Sequence, residues 1–144
     1  MGAITDLAMH VANELASANL PLSAEVSLDY HPTIDVTDNR LIVSVVPREV
    51  RDQSESRDRS SLYIALEIVV RKKLTDDAHV GEMIDFVEAL IHELQEMGLP
   101  SGYHGLDIAV TPLYFHEYLD THRLFVSTLS CQYCLLYTSP SPRD

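Results

Sequence analysis

Apolar and polar residues alternate most clearly in residues 61–73, SLYIALEIVVRKK. The apolar residues at every second position are Leu62, Ile64, Leu66, Ile68 and Val70. A period of two is that of a β-strand. The intervening face also carries Ala65 and Val69, so it can be partly covered as well. The pattern therefore predicts a long strand at the centre of a sheet.

Three other segments show strand patterns. Residues 41–46, LIVSVV, predict a strand that ends at Pro47. Residues 106–110 and 123–133 also alternate and predict two more strands. The weaker alternation in residues 23–30 is compatible with a short strand or with an irregular segment.

Two helices are predicted. The first follows Thr5 as its N-cap and has apolar residues at helical spacing up to Leu15. The second has Thr75 or Asp77 as its cap, a wide apolar stripe, and Gly98 as a C-terminal stop signal. The second predicted helix is long enough to lie along the central strand.

Residues 47–60, PREVRDQSESRDRS, are too polar to bury themselves. The strands on either side most simply pair antiparallel, which makes this segment a long charged hairpin loop. The predicted fold is therefore α+β, with an antiparallel sheet of about four strands packed on one face by two helices.

The last eleven residues, 134–144, match the translation of a transposase-type sequencing adapter. We expect them to be a non-native tail and exclude them from the fold. Residues 1–133 are then enough for one compact domain.

The formal net charge of −12 repels phosphate backbones, which argues against nucleic acid as the main partner. No long apolar run and no signal-peptide pattern is present, so we expect a soluble protein made inside a cell, with no membrane partner. Without the tail a single cysteine, Cys131, remains, which argues against a disulfide framework.

Charge is distributed unevenly along the chain. Residues 48–73 hold seven Lys and Arg against five acids, whereas residues 74–100 hold seven acids and no Lys or Arg. The candidate interaction residues are Arg48, Arg51, Arg57, Arg59, Glu82, Asp85, Glu88, Glu93 and Glu96. An acidic, solvated helix face and a charged loop are the simpler interpretations of these two segments.

The sequence offers little catalytic chemistry. Its seven histidines include no pair at the four-residue spacing of a helical metal site, and Cys131 lies in a predicted strand, where cysteines are mostly buried. No serine has a G-x-S-x-G setting and no glycine-rich loop resembles a phosphate cradle. We therefore predict no catalytic residues, no metal, no cofactor and no enzymatic activity.

Taken together, the layout resembles that of the tail-terminator, or tail-completion, minor tail proteins of tailed bacteriophages. The resemblance rests on the N-terminal helix, the strand LIVSVVP, the Arg- and Ser-rich loop, the strand YIALEIVVRKK, the acidic helix before Gly98-Leu99-Pro100 and the closing strand RLFVSTLSCQY. It covers nearly all of residues 1–133 and is carried by patterns, not by a fixed motif.

The resemblance implies a structural virion protein that forms a homo-oligomeric ring, commonly a hexamer, at the head-proximal end of the tail. Such a ring stops growth of the tail tube and joins the tube to the head–tail connector at the neck. It would assemble in the host cytoplasm and remain in the virion tail. A small metal-dependent or other hydrolase, and a non-viral homo-oligomeric adaptor, are the alternatives.

Overall fold

The computed structural model describes residues 2–32, 39–52 and 59–138, with the backbone alone for Arg59, Tyr137 and Thr138. Within these ranges the chain is α+β, which confirms the predicted class. The elements are α1 (Ala3–Ser17), β1 (Glu25–Leu28), β2 (Ile42–Asp52), β3 (Arg59–Lys73), α2 (Val80–Glu96), β4 (Tyr103–Val110), α3 (His116–His122) and β5 (Leu124–Thr138). The prediction of about four strands and two helices is therefore close to the five strands and three helices described.

The strands form one sheet in the order β1-β2-β3-β5-β4, so β3 is central as predicted. β2, β3, β5 and β4 pair antiparallel, but β1 pairs parallel to β2, with Glu25 opposite Ile42 and Leu28 opposite Val45. The sheet is mixed, and the prediction of a purely antiparallel sheet is wrong at this one pair. The weak strand pattern of residues 23–30 does form a strand, although a short one.

β2 continues past Pro47, where the sequence predicted its end. The register shifts between Pro47 and Glu49, so Arg48 is the extra residue of a β-bulge. β1 pairs only with the first four residues of β2, so Pro47 lies where β2 has one neighbouring strand and its missing N–H is tolerated.

The predicted loop of residues 47–60 is correspondingly shorter. β2 includes residues 47–52 and β3 includes residues 59 and 60, and the two strands pair as the antiparallel hairpin that the sequence predicted. The middle of the predicted loop, residues 53–58, lies outside the described residues.

α1 and α2 cover one face of the sheet, which we call the helix face. α1 packs on β1 and β2, whereas α2 packs on β4 and β5. The largest fully buried side chains of this core come from both layers and include Leu7, Leu15, Phe86, Leu90, Ile64, Leu66, Ile68, Phe125 and Leu129. The apolar stripes of the helices and the alternate positions of β3 thus meet in one core.

The helix ends differ from the predictions. α1 begins at Ala3 with Gly2 as its N-cap, so Thr5 lies inside the helix. A short 3₁₀ turn precedes α2, and its cap is Asp76, whose carboxylate accepts a hydrogen bond from the amide of Ala78 at 3.0 Å. α2 ends at Glu96 because Met97 adopts an extended backbone, so the turn does not depend on a left-handed Gly98.

The opposite face of the sheet, which we call the second face, is covered in part by α3. Phe115 and Tyr118 pack there against Val46, Val69 and Val126. The sequence did not predict this helix because it has only seven residues. Its signal is the spacing of Phe115, Tyr118 and Leu119, which are three and four residues apart.

β5 extends to Thr138 and so includes the first five residues of the segment expected to be non-native. Cys134 pairs opposite Tyr63, and Leu135 lies opposite both Leu62 and Tyr103. The amide of Leu136 also donates to the carbonyl of Gly102 at 2.9 Å. These residues lengthen the hairpin end of the sheet without contributing to its fully buried core.

Candidate interaction surfaces

The structure places the candidate residues in two separate groups. Arg48 and Arg51 lie on β2, and the five acidic residues all lie on α2. Arg57 lies outside the described residues, and of Arg59 only the backbone at the start of β3 is described. We call the exposed arginines of β2 the basic surface and the outer side of α2 the acidic surface.

Arg48 is held on the second face by its neighbour on β3. Its Nε and Nη2 atoms donate to Oε1 of Glu67 at 2.8 and 2.5 Å. The bulge at this position explains the contact, because it turns Arg48 toward the next strand. Both side chains are partly exposed, so this ion pair contributes at most about 1 kcal/mol and can exchange for another anion.

Arg51 lies closer to the end of the hairpin. Its guanidinium stands over the ring of Tyr63 at 4.3 Å and pairs with Glu49 at 3.5 Å. Tyr63 is the residue directly opposite Arg51 in the hairpin, so β2–β3 pairing sets this geometry. The side chain of Arg51 is still 56% exposed and remains accessible to a partner.

The acidic surface follows the outer side of α2. Glu82, Asp85, Glu88 and Glu96 are exposed and Glu93 is half-buried. The ion pairs that the described residues form with these carboxylates are both to histidine: His79 to Glu82 at 3.6 Å and His92 to Glu96 at 3.1 Å. Residues 74–100 contain no Lys or Arg, so this surface carries a net negative charge.

The two surfaces lie toward opposite ends of the sheet. The basic surface is on β2, the second strand from the β1 end. The acidic surface is on α2, which packs on β4 and β5 at the other end, although Glu82 near the start of α2 lines a pocket with Glu25 and Arg40 at the β1 end. Most of the acidic surface is therefore separated from the basic surface along the sheet, and the two surfaces also lie on different faces, because the arginines of β2 are on the second face and α2 covers the helix face. The sequence could not show this separation.

A groove that the sequence did not indicate lies beside Arg48 on the second face. Its floor includes Val69 and Val126, and Phe115, the N-cap of α3, and Tyr118 form a wall. The groove has a volume of about 560 Å³. It places apolar surface next to the basic surface.

The residues considered for catalysis do not form a site in the part of the chain that is described. No three His, Cys, Asp or Glu side chains there stand close enough together to hold a metal ion. Cys131 is fully buried, and this burial raises the pKa of its thiol to about 12. A thiol in this state is a poor nucleophile.

The sequence matches no protein-family model and no curated protein. None of the described helices combines the length and the apolar character that crossing a membrane requires. The surfaces themselves are therefore the basis for any functional proposal.

Proposed function

We propose that this protein is a structural subunit that joins head to tail with copies of itself into a closed ring. Following the resemblance of its layout to tail-terminator proteins, the ring would be a hexamer that caps the head-proximal end of a phage tail. It would stop tube growth and bind the tail tube on one side and the head–tail connector on the other. This function requires no catalytic residue and no cofactor.

The observation that supports the proposal is the position of the two charged surfaces. A ring needs a heterologous contact, in which one surface meets a different surface on the next copy. The arginines on β2 and the carboxylates on α2 have opposite charge, and apart from Glu82 they lie toward opposite ends of the sheet. Each copy thus carries both halves of such a contact.

The intrachain ion pairs of the arginines do not oppose this use. The pairs of Arg48 with Glu67 and of Arg51 with Glu49 are exposed, so each contributes little to the fold. Bringing α2 of a second copy close would give each guanidinium a second carboxylate. Charge complementarity of this kind mainly sets orientation and the rate of encounter.

A charge-swap experiment tests the ring. In one variant Arg48 and Arg51 are replaced by Glu, in another Asp85 and Glu88 are replaced by Lys, and a third combines all four changes. We expect the wild-type protein to form one discrete oligomer in light scattering, each double variant to be monomeric, and the quadruple variant to assemble again. Glu14→Lys on the exposed side of α1 is the control and should assemble normally.

A strictly monomeric wild-type protein at high concentration would overturn the ring. The tail role is tested separately by co-expression with the tube protein encoded nearest to this gene. Electron microscopy should then show tubes of limited length with the ring at one end. If the tubes keep their length, the protein would still be a homo-oligomer, but the proposed role in a tail would be wrong.

A further inference from the structure

β5 is longer than the strand that pairs along one of its two sides. It pairs with β3 from Leu124 to Thr138, but with β4 only from Leu129 to Leu135. Within the described part of the chain, residues 124–128 therefore have a neighbouring strand on one side only. An open strand edge of this kind presents N–H and C=O groups that can pair with another chain.

α3 and the residue before it occupy this open side. The amide of Phe115 donates to the carbonyl of Val126 at 3.0 Å, in the place that a strand would take. Leu119 belongs to the main core, whereas Tyr118 packs with Phe115 against Val126 on the second face. Natural sheets commonly cover an edge with a helix in this way, which prevents it from pairing with another chain.

α3 is held less firmly than the strand that it covers. Within α3 the one buried side chain is that of Leu119, and five of the seven residues are exposed. A helix of this length does not persist without its packing contacts. On the strand beneath it, Phe125 and Val126 are almost completely buried. We therefore expect α3 to open at a lower free energy than the sheet does.

The junction between α3 and β5 is suited to such an opening. Arg123 has φ 55° and ψ 36°, a left-handed backbone conformation that is strained in residues other than glycine. Its carbonyl accepts a hydrogen bond from the amide of Leu74 at 2.8 Å, and its Nη2 atom donates to Asp77 at 2.9 Å. The strained backbone favours opening at this residue, whereas the ion pair with Asp77 opposes it.

We propose that α3 is a hinged cover, which opens about Arg123 while the sheet stays folded and which, when closed, prevents β5 from pairing with a strand of another copy. Opening would also remove a wall of the groove on the second face, because Phe115 and Tyr118 form that wall. The inference does not rest on the proposed ring, since neither α3 nor the covered edge belongs to the two charged surfaces.

Hydrogen exchange at increasing urea concentrations tests the opening, at protein concentrations where light scattering shows a monomer. Amides of α3 should exchange about tenfold or more faster than those of β3, and with little dependence on urea, because a local opening exposes little surface. Asp77→Asn should speed the exchange of α3 a further two- to fivefold or so, by weakening an exposed ion pair, and leave β3 unchanged. Glu14→Gln, which removes an exposed carboxylate on α1, is the matched control and should change neither.

The blocking role has a separate test. Leu119→Ala removes the buried side chain of the cover and should make copies associate more strongly than wild type, with slower exchange in residues 124–128 as they do so. Leu94→Ala on α2 is the matched control, because it also removes a buried leucine but leaves this edge covered. If α3 exchanges only when the whole protein unfolds, the hinge is overturned. If Leu119→Ala associates no more than wild type, or residues 124–128 gain no protection, the blocking role is overturned.

Discussion

Nη2 of Arg71 donates a hydrogen bond of 2.6 Å to Oγ of Ser44 on the second face of the sheet. Both residues are buried, with exposed fractions of 3% and 0%. Burial lowers the pKa of Arg71, and the nearby charge of Asp29 opposes this shift. An arginine keeps its proton even so, and the bond from its charged guanidinium therefore ties β3 to β2 across the sheet.

Ser44→Ala should destabilise the protein because it removes this acceptor from a buried charge. We expect the free energy of unfolding to fall by about 1.5–3 kcal/mol, measured by urea denaturation. Ser130→Ala is the control: Ser130 is an exposed residue on β5 and should change stability by less than about 0.5 kcal/mol. Equal effects of the two substitutions would show that the hydrogen bond contributes nothing.

Ser127→Ala should have the opposite sign. Ser127 is as buried as Ser44, but its hydroxyl has no hydrogen-bond partner among the residues described. Removing a buried polar group that has no partner relieves its desolvation cost, so the free energy of unfolding should rise by about 1 kcal/mol. A loss of stability in the same urea experiment would indicate that the hydroxyl is satisfied in solution.

The strands of the core could be predicted because their pattern is local. Alternation in residues 61–73 defined β3, and the helical stripes ending at Leu15 and Leu94 defined the faces of α1 and α2. The sequence could not predict the parallel pairing of β1 with β2 or the continuation of β2 past Pro47. Both depend on which strand lies alongside β2. Local patterns specify elements, whereas neighbours decide where the elements end.

The candidate surfaces could be predicted only in part. Sequence counts separate the basic segment from the acidic one, and the structure places them on different elements. Their positions toward opposite ends of the sheet follow from the strand order, which no count contains.

Cys131 should not react with thiol reagents in the folded protein. Its pKa of about 12 leaves roughly one thiolate in ten thousand at pH 8, and burial blocks access. Cys134, which is partly exposed, is the internal control. We expect one thiol to be labelled by a maleimide in native buffer and two in urea, counted by mass spectrometry; rapid labelling of both in native buffer would contradict the buried position.

The same raised pKa predicts how stability depends on pH. The folded state holds the Cys131 proton more tightly than the unfolded state, whose pKa is near 9.0. Its contribution to stability is therefore complete below about pH 9 and is lost as the pH rises toward about 12. In the Cys131→Ala variant, the free energy of unfolding should fall less steeply with rising pH between these pH values.

Removal of residues 134–144 should leave a folded protein. The segment adds the last five residues of β5, of which Cys134 and Leu135 are half-buried and Leu136 is exposed, while the fully buried core residues among those described all precede it. We expect a single cooperative transition with a loss of no more than about 2 kcal/mol, since the described side chains that leave the interior are the partly buried ones of Cys134 and Leu135. Loss of cooperative unfolding in the shortened chain would contradict the expectation that the domain comprises residues 1–133.

Salt should weaken the oligomer if the charged surfaces join its subunits. The screening length falls from about 10 Å at 0.1 M ionic strength to about 3 Å at 1 M, and the arginines of β2 and the carboxylates of α2 are mostly exposed. We expect the dissociation constant to rise about tenfold between these conditions in sedimentation experiments.

Glu14→Lys should keep the wild-type salt dependence, because Glu14 lies on α1 outside both surfaces. If the oligomer instead becomes tighter as salt is added, its subunits are joined by apolar surface alone. The two charged surfaces would then not contribute to the contact.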